Sequence, residues 1–367
     1  MNNSTISHSI DYVSVIVPVR NEERFIEETL RSIVAQDYPA DRFEVLVIDG
    51  MSEDRTREII ARISSKHSNI KLLDNPRRIV SAAMNIGIEK ARGDVIIRVD
   101  GHCVLEPDYI RQCVNYLHRT GADNVGGLMW AVGQGYMGRV IAAAINSPFG
   151  SGGSKFHYSR KEQYVDTVYL GAFPRSVFER VGLFNEEMVC NQDYELNYRI
   201  RAAGGKIFLT PAIKSRYYGP SSLISLWRQY FRYGFWKLRM IKRHPRSIRP
   251  RHLAAPLFIC VLWASGLLGF VNRQFLWPFM FISLSYLSAS LASSFSISRR
   301  KGWRYLPLLP VAFATMHLSW GLGFVWSLLR VGRSYLAAVL SGLFSEDFGS
   351  LYRRSIAKIR GSDRRGY

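Results

Sequence analysis

The sequence is poor in cysteine. Its four (Cys103, Cys113, Cys190 and Cys260) are scattered over 367 residues, and none forms a C-x-x-C pair. That excludes a disulfide framework and reads as ordinary buried thiols in a reducing compartment. Acidic residues are also scarce. Lys and Arg total 49 against 29 Asp and Glu, a formal charge of +20, and no acidic residue lies between Glu195 and Glu346. Low-complexity blocks and internal repeats are missing, and an apolar fraction of 47% excludes a disordered or collagen-like chain. The first residues, Met1 to Asp11, lack the apolar stretch of a secretory signal, so the N-terminus is expected to stay on the side of the membrane where it is made.

Formal charge is missing altogether from three long runs: Leu253 to Asn272, Gln274 to Ser298 and Tyr305 to Leu329. Each has about the ~20 residues a helix needs to cross a bilayer. Trp277, Trp303, Trp320, Trp326 and Tyr305 lie near their ends or along them, as interfacial anchors do. The alternative, buried helices of a large soluble core, seldom runs this long without one charge. Just before the first run, nine Lys or Arg residues from Arg228 to Arg251 follow or interleave with Trp227, Tyr230, Phe231, Tyr233, Phe235 and Trp236. Such a segment fits an amphipathic helix lying on an anionic leaflet with its aromatic side among the headgroups. Nucleic-acid binding is the rival reading of the same composition, and the adjacent membrane run disfavours it.

With three spans and a cytosolic N-terminal domain, the loop Arg299-Arg300-Lys301-Gly302-Trp303-Arg304 falls inside, as the positive-inside rule wants. The basic tail, with Arg330, Arg333, Arg353, Arg354 and Lys358, would then fall outside and break the rule. Either the tail violates it, or the Tyr305–Leu329 segment, with Pro307, Pro310, Gly321 and Gly323, is re-entrant.

The N-terminal two thirds alternate short β-branched runs with amphipathic stretches. Strands are expected at Val13–Val19, Phe43–Ile48, Ile70–Leu73 and Asp94–Val99. Helices are expected at Glu22–Ala35, after a capping region Ser52–Thr56, and at Val80–Lys90. Alternation of this kind implies an α/β fold, a mostly parallel sheet with helices on both faces. Ligands in such sheets bind at the carboxyl ends of strands, which puts Asp49 and Asp100 on one rim. Gly133-Gln134-Gly135-Tyr136-Met137-Gly138 matches G-x-G-x-x-G. It is not the first strand-helix turn and no acidic residue follows at the required distance, so it reads as a mobile glycine-rich loop continuing through Gly150–Gly153.

Two constellations carry candidate chemistry. In Asp100-Gly101-His102, a carboxylate and an imidazole two apart at a strand end can converge on one divalent cation, Mg²⁺ or, with imidazole present, Mn²⁺. The same residues could form a solvated turn with an Asp cap. In Asn191-Gln192-Asp193-Tyr194-Glu195, carboxylates open a helix, where they often serve only as caps.

Taken in order, Val15–Glu22, Val47–Thr56, Asn85-Ile86-Gly87 with Ala91–Asp94, Asp100-Gly101-His102, Gly171–Arg175, and Asp193–Leu196 with Arg199 resemble the motifs of family 2 glycosyltransferases. The resemblance spans nearly the whole chain. It is nearest to glucosyltransferases of succinoglycan-type exopolysaccharide assembly, to which Gln229-Tyr230-Phe231-Arg232-Tyr233-Gly234 and the C-terminal membrane segments also point. It implies a GT-A fold and inverting transfer of a sugar from a nucleotide donor. Asp49 would contact the nucleotide base, Asn85 would belong to the donor site, and Asp100 would meet the ribose or metal. His102 would replace the second carboxylate of the usual D-x-D motif and hold Mn²⁺ or Mg²⁺ on the diphosphate. Asp193 would be the catalytic base, with Glu195 second, and Gln229 and Arg232 would close the acceptor and diphosphate side. The chain departs from the pattern at Gly50 and Met51 (an Asp and a Gly in the usual opening), at Gln192, and at Tyr233 in place of Trp.

The expected organisation is a polar tail (1–11), a GT-A domain (12–220), a basic interfacial helix and linker (221–251), a transmembrane region of two or three helices (252–330) and a basic tail (331–367). The expected protein is a multi-pass enzyme of the plasma (inner) membrane with its catalytic domain cytosolic. It would move a hexose, glucose from UDP-glucose, to a lipid-linked or nascent saccharide; its partners are that donor, that acceptor and membrane lipids, not nucleic acid. The rivals are a processive polysaccharide synthase and a catalytically inactive membrane scaffold.

Overall fold

The computed structural model describes residues 11–343, with side chains to residue 330. All but the last residue of the N-terminal tail, and the C-terminal tail beyond the helical backbone of 331–343, lie outside the described residues.

The chain begins with β1 (Val13–Val19), α1 (Ile26–Val34), β2 (Phe43–Asp49), α2 (Thr56–Ser64), β3 (Ile70–Asp74), α3 (Val80–Lys90) and β4 (Val95–Arg98). Every residue of β1, β2 and β4 is buried, as continuous apolar strands between two helical layers must be. Helix α1 starts at Ile26 rather than near Glu22. Asn21 adopts a left-handed φ of 57°, and Glu22 to Phe25 form a turn whose side chains reach toward neighbouring strand ends. β5 (Cys103–Leu105), α4 (Tyr109–Thr120), β6 (Asn124–Val132), α5 (Gly135–Ile145), α6 (Pro148–Ser151), β7 (Gln163–Tyr164), β8 (Tyr169–Pro174), α7 (Ser176–Val181), α8 (Gln192–Ala202) and β9 (Ile207–Tyr218) complete the domain.

One nine-stranded sheet runs in the order β3-β2-β1-β4-β8-β6-β9-β5, with β7 on β9. The first four strands are parallel, with Val19 opposite Asp49 and Asp49 opposite Asp74. β8 is antiparallel to both β4 and β6, and β6 is parallel to β9. The sheet is therefore mixed, and its parallel part carries the common rim of strand ends.

The opposite edge is clamped. Buried Glu44 accepts from the Ser14 hydroxyl (2.8 Å), the Arg92 backbone N–H (2.7 Å) and the Arg92 guanidinium (3.1 Å). Arg175 donates to the carbonyls of Gly93 (2.8 Å) and Ala91 (2.6 Å). The Ala91–Asp94 and Gly171–Arg175 motifs thus fasten β1, β2, β4 and β8 together.

Four long helices follow: α9 (Leu223–Arg243), α10 (Arg251–Gly269), α11 (Leu276–Lys301) and α12 (Leu309–Leu343). The last three contain segments long and apolar enough to cross a membrane (251–269, 273–301 and 309–330). α11 is the most exposed of them, presenting Trp277, Phe281, Leu284, Leu287, Leu291 and Phe295 outward. α12 is uninterrupted, so the break that a re-entrant segment needs is missing; Pro310 sits in its first turn, where its lack of an N–H costs nothing.

α9 departs from the expected headgroup-facing geometry. Phe235 and Trp236 are buried with Met188, Cys190 and Tyr194, and only Ile224 and Trp227 keep large exposed surfaces. The 188–194 segment covers those two rings, and α12 covers another side, lying along α9 at backbone contact. A methyl on Gly234 would come within 1.9 Å of the Trp320 carbonyl oxygen, and one on Gly323 within 2.1 Å of that of Phe231. Leu309, Ala312, Phe313 and Met316 of α12 join the core shared with α5 and β6. The segment Gly133–Gly138 is likewise a packed strand-to-helix turn rather than a free loop, with Gly133 pressed on the Gly138 backbone and Tyr136 bonded to the Arg304 carbonyl. Cys103, Cys113 and Cys190 are buried as expected; Cys260, on α10, is exposed.

Candidate active site

Strand periodicity places Arg98 and Asp100 on one face at the end of β4. Arg98 is almost wholly buried and forks between two carboxylates. Its Nε donates to Asp100 Oδ1 at 2.8 Å, with Nη2 in ion-pair contact with the same oxygen, and its Nη1 donates to Asp193 Oδ1. Asp193 is the second residue of α8, after Asn191 turns the chain with a left-handed φ of 62°. The Tyr169 hydroxyl donates to the other Asp100 oxygen at 3.1 Å. One guanidinium thus brings together carboxylates 93 positions apart in the sequence, Asp100 and Asp193.

Their titration diverges. For both, burial pushes the pKa up. At Asp100 the charges of Arg98 and then His102 outweigh burial and hold the carboxyl below its ordinary range. At Asp193 burial prevails over the pull of Arg98, and the nearby Asp100 charge adds to the rise. The Asp193 side chain nevertheless keeps 40% exposure because it lines a cavity rather than packed core. Among the described residues its Oδ2 has no hydrogen-bond donor.

His102 follows Asp100 by two positions. Its Nδ1 lies 2.8 Å from Glu22 Oε1 and its ring packs edge-on against Tyr217. Burial alone would lower its pKa, but the Glu22 hydrogen bond and charge raise it above the usual value. This pairing leaves Nε2 for another partner, an arrangement that orients imidazoles toward metals. Asp100 and His102 are the donors available for a cation; among the described residues no cluster of three or more His, Cys, Asp or Glu could hold one alone. Both Asp100 oxygens already accept, from Arg98 and Tyr169, so the pair could hold a divalent ion only with diphosphate oxygens and water filling its remaining positions.

Gln229 donates from Nε2 to the hydroxyls of Tyr217 (2.9 Å) and Tyr233 (2.8 Å), while its Oε1 is buried without a partner. Tyr233, where the family pattern has Trp, supplies a hydroxyl that fixes Gln229. Arg232, exposed on the same helix, lines the cavity beside it.

These groups face one cavity of about 910 Å³. Of the residues expected from sequence, Asp100, His102, Asp193, Gln229 and Arg232 line it. Asp49 does not. Its carboxylate is fully buried and taken by the Ser52 N–H (3.0 Å) and hydroxyl (2.5 Å) and by Arg57 (2.6 Å), while the adjacent Gly50 forms the wall. Asn85 lies outside the lining too, exchanging hydrogen bonds with the Phe184 backbone at 2.8 and 2.9 Å. Glu195 is buried under Arg199 and His244, a scaffold position rather than a second base. Sequence reasoning missed Arg98, Glu22 and Tyr169. Only Arg98 left a signal, as the lone charge in an otherwise apolar strand.

The cavity has a second character. Beyond Asp193 and Arg232 its wall includes Ala255 and Phe258 of α10, Tyr286 of α11 and Met316 and Trp320 of α12. One space therefore joins the polar strand ends to the helices that could cross a membrane.

A family model described as "Glycosyl transferase family 2" matches residues 14–182. The succinoglycan biosynthesis protein ExoA of Rhizobium meliloti (strain 1021) is 31% identical over 323 residues, which is 87% of this chain and 96% of that protein. The dolichyl N-acetyl-alpha-D-glucosaminyl phosphate 3-beta-D-2,3-diacetamido-2,3-dideoxy-beta-D-glucuronosyltransferase of Methanococcus voltae is also 31% identical, over 64% of this chain and 75% of that one. Among solved structures, the mannosyltransferase PcManGT from Pyrobaculum calidifontis, in complex with GDP-Man and Mn²⁺, superposes with a TM-score of 0.57 at 20% identity, covering 88% of each chain. That likeness supports the GT-A arrangement of the sheet.

Proposed function

The chain belongs to glycosyl transferase family 2, and we propose that it moves one hexose, glucose from UDP-glucose, onto a lipid-linked or nascent saccharide of an exopolysaccharide at the cytosolic face of the plasma membrane. That it is a glycosyltransferase with an exopolysaccharide-assembly relative follows from the similarity over nearly its whole length. The donor, the acceptor and the site roles are our reading. The observation that carries it is the Arg98 fork, which aims Asp100 and Asp193 into a cavity continuous with the apolar helices.

In this reading Asp193 Oδ2 accepts the proton of the acceptor hydroxyl, which is too weak a nucleophile unaided. The hydroxyl oxygen bonds to the anomeric carbon from the face opposite the leaving group, the bond from that carbon to the diphosphate oxygen breaks, and the electron pair leaves with the nucleoside diphosphate. Arg232 offsets charge on that leaving group. Asp100 and His102 would hold a divalent ion, Mn²⁺ or Mg²⁺, which when bound supplies Lewis-acid neutralisation of the diphosphate. Glu22 orients His102, and Arg98 opposes the rise in pKa that burial imposes on Asp193. Asp49 and Asn85 hold the loop at Ser52 and the segment at Phe184, and so shape the donor side without lining it.

A screen of nucleotide sugars against extracted lipid-linked acceptors, with linkage analysis of the product, tests the proposal. The expected product carries one added hexose with its anomeric configuration opposite to the donor's. A polymer would favour a processive synthase, and retained configuration would exclude the assigned mechanism.

A further inference from the structure

Lys237 is a buried charge that the proposed transfer leaves unused. It sits on α9, 6% exposed, and lines the cavity. Its ammonium lies over the Tyr194 ring, 3.4 Å from the centroid, and no carboxylate forms an ion pair with it among the described residues. Of the two groups whose charge would favour the ammonium, Cys190 is a buried thiol whose own pKa is pushed up, and Asp166 is already bonded to Arg251. An ammonium held out of water without a counter-ion is costly. Burial first, then the charge of Arg251, pulls the Lys237 pKa down to about 7. Helices α9 to α12 cannot supply a counter-ion, because no acidic residue occurs between Glu195 and Glu346. An anion brought in by a ligand would favour its charged form.

The surroundings say what kind of anion. Arg251 and His252 share the wall with Lys237, and the lining then turns apolar with Ala254, Ala255 and Phe258 of α10 and Met316 and Trp320 of α12. A basic neck opening onto apolar helices suits a molecule with a phosphate at one end and a hydrocarbon chain at the other. We propose that this lobe is the acceptor's anchoring subsite. Lys237 binds the phosphate ester of a membrane lipid carrier, and α10 and α12 take the first part of its chain. The proposal rests on the reading of a lipid-linked acceptor and adds the group that recognises it. Lys237 acts here by positioning: it sets where the carrier's phosphate sits, and so where the attached acceptor meets Asp193.

The test uses the full chain in lipid nanodiscs and, as probes, a long-chain polyprenyl phosphate, the polyprenol of equal length, and inorganic phosphate. Native mass spectrometry reads occupancy, and tryptophan fluorescence on heating reports folding. The wild type is expected to bind polyprenyl phosphate at least about tenfold more tightly than polyprenol, with inorganic phosphate failing to compete at equal concentration. Lys237→Met should remove that preference with its unfolding midpoint held, and Lys237→Arg should keep it. If Lys237→Met is folded and keeps the preference, the subsite is elsewhere although the lipid acceptor stands. If the wild type binds neither lipid, the lipid-linked reading itself fails. If inorganic phosphate competes as well as the lipid, the lobe is a simple anion site and the proposal is overturned.

Discussion

At the scale of single residues, Arg98 explains how one site gives two aspartates different work. With His102 it holds Asp100 below its ordinary pKa, while burial and the Asp100 charge keep Asp193 above its own against the pull of the same guanidinium. A base acts only when deprotonated, so transfer should fall as pH drops through the raised Asp193 pKa. The acidic limb of kcat/KM therefore lies above that of an unperturbed carboxylate. Because Arg98 pulls the Asp193 pKa down, Arg98→Met should move that limb to still higher pH, and a limb that stayed in place would remove Arg98 from the account. Met51 carries a separate prediction. It stands where the family pattern has glycine and adopts a left-handed φ of 58°, a conformation costing an ordinary residue about 1–2 kcal/mol. Glycine gives back part of that gain through its looser unfolded chain. Met51→Gly should stabilise the protein by about 0.5–1 kcal/mol in denaturant unfolding, and a loss of stability would contradict the strain.

At the scale of elements, much was legible in the sequence. β1 and α3 fall on their expected boundaries because an apolar run and a helical period say the same thing whatever surrounds them. The acidic strand ends were legible as a rim, yet Asp49 turned inward, since nothing in its own segment reveals that Arg57 of the next helix will take the carboxylate. α9 was readable as amphipathic but not as covered. Its aromatic face looks the same whether lipid or protein meets it, and two distant segments decide the matter: residues 188–194 bury Phe235 and Trp236, and α12, some eighty residues later, lies against Phe231 and Gly234. That crossing is testable. Gly234→Leu would force side-chain atoms into the α12 backbone, an overpacking that costs about 1–3 kcal/mol or more. It should lower the unfolding temperature in detergent and weaken transfer, because Gln229 and Arg232 ride on the same helix. Unchanged stability would mean the two helices are not in backbone contact. On the far edge of the sheet, Arg92→Ala would leave the buried Glu44 with the Lys71 ammonium, 3.7 Å away, as its cation and should cost about 1–2 kcal/mol, with KM for the donor unaffected.

For the whole molecule, the sequence divides a charged α/β half from an acid-free helical half, and the structure joins them through one cavity. Two of the three long apolar helices, α10 and α12, pack onto the catalytic domain. α12 contributes to the domain core and α10 to the cavity wall, so these helices, long and apolar enough to cross a membrane, are built into the enzyme rather than tethered to it. A chain truncated before α10 should therefore lose transfer as well as membrane association, whereas a tethered domain would keep activity on a soluble acceptor. The central claim is that Asp193 takes the acceptor's proton in a site otherwise complete without it. The direct measurement is the turnover of Asp193→Asn at saturating donor and acceptor, with nucleotide binding measured on the same preparation. The account predicts a fall in kcat of about 10²–10⁴-fold with nucleotide affinity preserved. Normal turnover would contradict it.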